Sequence, residues 1–405
     1  MPTRPRRNST IGLDYGTHST KVVHRVRGAD RGRIIRIDRP CEGYPLNATP
    51  SMIREIDGRL YFGTLATEFS CGVDYGSLKA DLLQSSGDTN IDRQIDVLAA
   101  SFIAWSLGEI LSSDSDLAAD NPIVQVSAPT SHHGDPSLND RYLRIVHAAY
   151  TYAGKFSRVE QGVNLAFLTK EIGLVLDQPL PARGERRFFV APETVAPIVS
   201  LQLEPITEPG IYLIADMGAA TTEMSICAVN DETLGNSILA YADSTDAQGG
   251  NVLGDLEGMI VGRSQRKLDK FLKRLRSQAE QVWYRGFEKD MRCRAARERW
   301  DKLRILLTGG ATHHPDIRKH FDVLVRPILN WNEKQHKQTV DRHYPTTLLC
   351  DDGFQDEDLS LFAVANGLSV QRAMWPEFYH GEEIPALEKG VRIEVEQVPS
   401  YLEIG

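Results

Sequence analysis

Two stretches of this chain, 202 positions apart, follow one pattern. Ile11-Gly12-Leu13-Asp14-Tyr15-Gly16-Thr17-His18-Ser19-Thr20-Lys21 carries an apolar run into an aspartate, turns on glycine and hydroxyl residues, and becomes apolar again at Val22-Val23. Ile214-Ala215-Asp216-Met217-Gly218-Ala219-Ala220-Thr221-Thr222-Glu223 does the same and continues into Met224-Ser225-Ile226. Aligned on Asp14 and Asp216, both read D-x-G-x-x-[ST]-T-[KE], which predicts strand, tight turn, strand. Either copy alone reads as an ordinary hairpin, because Asp and Gly are default turn residues. Two in the same pattern point to a duplicated α/β domain whose turns face one ligand. A glycine there lets backbone approach an anion, and successive N–H groups form an anion-binding nest. Each carboxylate suits a hydrated Mg²⁺, which keeps most of its waters and takes few protein ligands.

A third element, Leu303-Arg304-Ile305-Leu306-Leu307-Thr308-Gly309-Gly310-Ala311, is an apolar strand running into a Gly-Gly turn. Phe188-Phe189-Val190-Ala191-Pro192-Glu193 leads into a small-residue segment, and Leu361-Phe362-Ala363-Val364-Ala365-Asn366-Gly367-Leu368 is another small-residue helix. Between them, Ala247-Gln248-Gly249-Gly250 follows an apolar strand. In this order the five elements resemble the actin, sugar-kinase and heat-shock ATPase superfamily over roughly residues 10–375. The nearest branches are the ATPase domain of heat-shock chaperones of the seventy-kilodalton class and the actin-like proteins. The resemblance implies two duplicated actin-like (ribonuclease-H-like) domains around a nucleotide cleft, joined by two connecting motifs and carrying small inserted lobes.

On that resemblance the boundaries are a disordered lead-in at 1–9, a first domain at 10–195 plus 350–385, a second at 196–349, and a tail at 386–405. The small lobes fall at about 40–92 and 256–300. The resemblance also implies the ligands, ATP or ADP with Mg²⁺. Asp14 and Asp216 would hold the metal through water, and Glu193 would orient the attacking water. Lys79 sits where the chaperones carry a γ-phosphate lysine. Gly16, Thr17 and His18 would meet the phosphates from one side, and Gly218, Ala219, Ala220, Thr221, Thr222, Gly249 and Gly250 from the other. Gly309, Gly310 and Ala311 would pass the adenosine, with Glu280 matching the start of the chaperone adenine clamp. Trp283-Tyr284 replaces the rest of that clamp, where an aromatic would stack on the base. Ala219-Ala220 stands where chaperones usually have Gly-Gly.

The function so implied is a nucleotide-driven conformational switch that hydrolyses ATP. Three alternatives stay open: a filament-forming actin-like protein, a nucleotide-binding scaffold, and a small-molecule kinase of the same superfamily. Pro192-Glu193 and the absence of a peptide-binding domain favour the filament, and the chaperone-like Gly249-Gly250 segment counts against it.

Composition constrains partners and compartment. The five cysteines are scattered, odd in number and lack C-x-x-C spacing, which argues against a disulfide framework or zinc site and fits a reducing cytoplasm. No apolar run is read as a membrane span. Residues 263–304 hold 15 Lys or Arg against 6 Asp or Glu, a local +9 in a chain whose total is −9. Leu268, Phe271, Leu272, Leu275, Ala279, Val282 and Trp283 recur there at helical spacing, so one face should be core. The other face is either solvated or a docking surface for an acidic partner. The segment has no recognised nucleic-acid motif, so nucleic acid is not the expected partner. Self-association remains the other partner class.

Overall fold

The computed structural model describes residues 9–76, 78–82, 88–129, 135–156, 161–204, 208–218, 221–229, 237–246, 261–294, 300, 303–313, 317, 339–342, 345–350, 354, 356–380 and 383–384. Ala219, Ala220, Gly249, Gly250, the lead-in up to residue 8 and the tail 386–405 lie outside these residues. The molecule is a mixed α/β protein with three sheets.

The first large sheet begins with β1 (Ser9–Tyr15), β2 (Ser19–Val26) and β3 (Gly32–Ile35), each antiparallel to the one before. Every residue of β1 is buried, the polar Ser9, Thr10 and Asp14 along with the apolar Ile11, Leu13 and Tyr15, as expected of a strand covered on both faces. Ser9 starts this strand, one residue inside the expected lead-in. The short strand β4 (Thr49–Pro50) pairs with β2 beside the first hairpin. A small sheet follows, with β5 (Ile53–Ile56), β6 (Arg59–Phe62) and β7 (Val73–Asp74). Its fourth strand, β9 (Val163–Asn164), comes from far outside the expected lobe at 40–92. Strands β8 (Ile123–Ala128) and β10 (Phe188–Pro192) return to the large sheet, each parallel to its neighbour.

The helices of this half begin with α1 (Leu78–Leu82), followed by α2 (Thr89–Ser113) and α3 (Pro136–Tyr152). The pattern predicts helices over 91–112 and 140–154, and capping fixes where they start. Asp88 accepts from the N–H groups of Asn90 and Ile91, and Asp135 from those of Ser137 and Leu138. Long and apolar enough to span a bilayer by composition, α2 is mostly buried in the first core, packed on α3, with Trp105 stacked on Phe62 of the small sheet. A fourth helix, α4 (Leu165–Leu176), packs on α3.

The second large sheet contains β11 (Gly210–Met217), β12 (Thr222–Val229), β13 (Ser237–Asp246), β14 (Arg304–Thr308) and β15 (Thr339–Arg342). Its order is β15-β14-β11-β12-β13, against β10-β8-β1-β2-β3 in the first, with the same sense for every corresponding pair. Two chain returns depart from the expected boundaries. Strand β16 (Leu348–Leu349) pairs with β3 of the first sheet, and β17 (Glu377–His380) pairs with β13 of the second. The chain from β16 to β17 therefore passes from the edge of the first sheet to the edge of the second, where it covers β13 by main-chain pairing.

Two helices sit between the sheets, α5 (Ala196–Gln202) and, beyond the long basic helix α6 (Val261–Arg294), α7 (Ala363–Leu368). A Cβ on Gly367 would overlap the Ala196 carbonyl, so α5 and α7 cross at backbone contact. A Cβ on Gly12 would likewise strike the backbone of Ala365, Leu368 and Ser369, seating α7 directly on β1. A polar network fixes the crossing. From β2, Arg25 donates to Asn366 Oδ1 at 2.7 Å and to Ser369 Oγ at 3.1 Å, and Asn366 Nδ2 donates to Ser200 Oγ at 2.8 Å. Burial pushes the Arg25 guanidinium down to about 10, partly offset by Asp30 and Glu204.

Candidate functional site

The two hairpins present equivalent residues at equivalent places. Asp14 ends β1 opposite Lys21, and Asp216 ends β11 opposite Glu223. The last position of the repeated motif therefore faces its first across each hairpin. Each aspartate also accepts from a hydroxyl on the parallel strand next to it: Ser127 Oγ lies 3.3 Å from Asp14 Oδ1, and Thr308 Oγ1 lies 3.1 Å from Asp216 Oδ1. Lys21 Nζ completes the first half, 3.2 Å from Asp14 Oδ2.

The turns differ in how they are held. Gly16 N–H donates to the Asp14 carbonyl at 3.1 Å, and the N–H of Ser51 donates to the His18 carbonyl at 2.9 Å. Thr20 and Ser51 share a buried hydroxyl contact of 2.8 Å, so β4 and its flank brace the first hairpin. The His18 ring is stacked on Tyr44, with centroids 4.4 Å apart. Burial, then the Lys21 charge, lowers its basicity, so it is neutral near pH 7. In the second hairpin, Gly218 N–H donates to the Thr221 carbonyl at 2.9 Å. Thr221 and Thr222 are buried.

Lys79 and Glu193 form a buried ion pair whose charges are felt by Asp216 of the second hairpin, as are those of Asp14 and Lys21 of the first. The Glu193 N–H donates to the Ala128 carbonyl at 2.9 Å, holding the residue after β10 against the end of β8. Burial alone would depress the lysine. The charges of Glu193, then Asp14 and Glu223, outweigh it and hold the ammonium well above the ordinary lysine range. Asp216 moves the opposite way for an acid, its carboxyl raised to about 6. Burial is the main cause, followed by the Glu193 and Asp14 charges, while Lys79 and Lys21 pull it down. Residues from both large sheets thus sense one another in a single cluster. Four carboxylates (Asp14, Glu193, Asp216, Glu223) face two ammoniums (Lys21, Lys79), a surplus of two negative charges.

That surplus is the observation bearing on a divalent cation. Carboxylates that repel each other enough to raise one of them are stabilised by a 2+ ion, and hydroxyls and waters complete a hard oxygen environment. Among the described residues, no three His, Cys, Asp or Glu side chains converge closely enough to ligate an ion directly. Asp14 and Asp216, each with a hydroxyl bonded to it from Ser127 or Thr308, offer the hard oxygen donors that such a cation takes.

The residues expected near adenosine are distributed differently. Gly309 has φ +86°, and a Cβ there would crowd Asp216 Oδ1 and the Met217 carbonyl at 2.5 Å. Its glycine thus serves the aspartate end of β11. Gly310 carries no comparable restriction, and Ala311 packs partly buried against the second core. Helix α6 is pinned near the second hairpin by Gln278 Nε2, which donates to the Thr222 and Ser244 carbonyls at 3.0 and 2.9 Å. Two residues along that helix, Glu280 is paired with Arg276 at 2.8 Å. The expectation that an aromatic here stacks on a base fails for Trp283. It lies in the second core, stacked on Phe287 at 5.3 Å and edge-on to Trp300 at 5.9 Å, because the helical spacing places it on the buried face of α6. Tyr284, its exposed neighbour, is not in the core.

Lys21, Ser127, Thr308 and Glu223 were not singled out from the sequence as site residues. Lys21 and Glu223 had a signal, the conserved place of the charged residue in both motif copies. Ser127 and Thr308 had none locally, since each becomes visible only when a parallel strand is set beside β1 or β11. No family model matches the chain, and no curated protein matches its sequence.

Proposed function

We propose that the chain is a Mg²⁺-dependent ATP-binding protein of the actin and heat-shock ATPase type, with two duplicated domains that close on a nucleotide and hydrolyse it. One observation carries the reading: Asp14 and Asp216 end equivalent strands of two sheets with the same order and sense, and both belong to one charge cluster with Lys79 and Glu193. Two unrelated hairpins would have no reason to share that register.

Bound Mg²⁺ would neutralise phosphate charge, the principal requirement of phosphoryl transfer to water. The chain's own residues do the rest. Backbone N–H groups of Thr17 and His18 from one side, and the hydroxyls of Thr221 and Thr222 from the other, bind phosphate oxygens, while the Gly16 and Gly218 N–H groups close their own turns. Lys79 moves its ammonium from Glu193 to phosphate, and the freed Glu193 carboxylate orients a water and takes up its proton. Adenine recognition rests on Glu280, Gly309, Gly310 and Ala311 by resemblance. The exposed basic face of α6, with Lys270 and Lys273, is offered to an acidic partner, and the setting is cytoplasmic.

The closed Lys79–Glu193 pair also favours a second reading, a nucleotide-binding scaffold in which Glu193 never leaves the lysine. Phosphate release from Mg²⁺-ATP under single-turnover conditions separates the two. Hydrolysis lost in Glu193→Gln with binding retained supports the ATPase, whereas no hydrolysis by the unaltered chain leaves the scaffold.

A further inference from the structure

Where α2, the end of α3 and the start of β8 converge, the first core leaves a cavity of about 150 Å³. Protein interiors are close-packed, so a void of this size needs a cause. One wall cannot close. A Cβ on Gly108 would strike the Ala153 carbonyl at 2.6 Å, so α2 and the turn after α3 already meet at backbone contact. Leu107 and Leu111 flank that contact on α2, and both line the cavity. A second wall is braced as well. Asn121 follows the short helix Ser115–Asp120 with φ +47°, and its N–H donates to the Ala118 carbonyl at 3.3 Å. Its side-chain Oδ1 accepts from the Tyr150 hydroxyl at 2.7 Å, and its carbonyl accepts from Arg187. The space is therefore preformed, as ligand pockets usually are.

The lining decides what fits. Leu107, Pro122, Val124 and Ala153 are buried, and no charged side chain is among the described residues that line the cavity. A charged ligand would lose its hydration there with no counter-charge to replace it. Water is served little better. A buried water takes about two to four polar partners, and the buried side chains here offer none. An apolar cavity of about 150 Å³ holds a benzene-sized molecule. Polar side chains gather at the mouth, where Asn121 is exposed and Tyr150 half-buried. With Oδ1 taken by Tyr150, the Asn121 Nδ2 is the donor left for a polar atom of the ligand.

We propose that this cavity is a binding site for a small uncharged molecule of the phenol class, its ring on Leu107, Leu111 and Val124 and its hydroxyl at the mouth on Asn121. The site is separate from the charge cluster. Val124 lies three residues before Ser127, the partner of Asp14, or about 10 Å along β8. The inference does not depend on nucleotide.

The test is a phenol titration of the full chain followed by carbon-13 methyl NMR, with benzene and benzoate as comparisons. Phenol should bind saturably and shift the methyl signals of Leu107, Leu111 and Val124. Benzoate should bind about tenfold more weakly or worse, because its carboxylate finds no counter-charge. Ala118→Phe, at an exposed position lining the cavity, should weaken phenol about tenfold or more by filling the space. Asn121→Gly suits the left-handed backbone and should weaken phenol several-fold while leaving benzene unchanged. Saturating Mg²⁺-ATP should not displace phenol. No saturable phenol binding by the unaltered chain would overturn the proposal, as would undiminished binding in Ala118→Phe or Asn121→Gly. So would benzoate binding equal to phenol's, methyl shifts confined to other residues, or displacement by Mg²⁺-ATP, which would put the ligand in the nucleotide cleft.

Discussion

At the scale of single residues, Asp216 is the group whose environment predicts most. Its carboxyl titrates near 6 in the folded chain against an ordinary value of 3.8. Between those values the folded state holds a proton that the unfolded state has lost. The associated stability is therefore full below the unfolded value and is lost as pH rises through 6. The shift corresponds to at most about 3 kcal/mol. Asp216→Asn should accordingly be more stable than the unaltered chain at pH 7.5 and show little difference at pH 4, measured by urea unfolding at both pH values. Added Mg²⁺ should narrow the difference at pH 7.5, since a cation relieves the same repulsion. A constant difference across pH would mean that Asp216 does not carry this strain.

Lys79 and Glu193 give the complementary case. Removing one partner leaves a buried uncompensated charge, typically a cost of about 3–5 kcal/mol, whereas replacing both with apolar groups is close to neutral. Lys79→Met should lower the denaturation midpoint sharply, and Lys79→Met/Glu193→Leu should recover most of it. Additive losses in the double variant would show that the two residues are held independently. These charges were legible as candidates because each sat in a recognisable run of sequence. Their pairing was not, since 114 positions separate them and only the placement of α1 against the end of β10 brings them together.

At the scale of elements, the strands and long helices were legible and the seams between them were not. The spacing of Leu268, Phe271, Leu272, Leu275, Ala279, Val282 and Trp283 marked one face of α6, and all seven are buried. That same inference undoes the stacking role for Trp283. Gly12 was legible only as part of a motif, yet its reason is the backbone of α7 lying across it. Gly367 is more severe. Even one carbon there has no room against the Ala196 carbonyl. Gly367→Ala should therefore cost about 3 kcal/mol or more, because the obstacle is backbone rather than a side chain that can turn aside. Thermal unfolding checks this, and an unchanged midpoint would mean the α5–α7 crossing is looser than drawn. Arg25 was overlooked because an arginine near the end of β2 looks like surface, whereas β2 carries it into the Asn366, Ser369 and Ser200 network.

At the scale of the whole molecule, the repeated motif says that two hairpins exist, and the sheets say where they meet. Corresponding strands run in the same order and sense, so Asp14 and Asp216 arrive at one cluster although each belongs to a different sheet. The returns of β16 and β17 were not legible, because strands of two and four residues carry too little pattern to be told from loops. They lace the sheets together, and any closure must move α5 and α7 with them. The central claim is that both hairpins hold one Mg²⁺-nucleotide. Calorimetric titration of Mg²⁺-ATP into the unaltered chain, Asp14→Asn, Asp216→Asn and the double variant tests it most directly. Each single change should weaken binding about tenfold or more, and the double should lose less than the two losses summed, because either change already frees one side of the shared ion. Undiminished Mg²⁺-ATP binding in both single variants, or in the double, would contradict it.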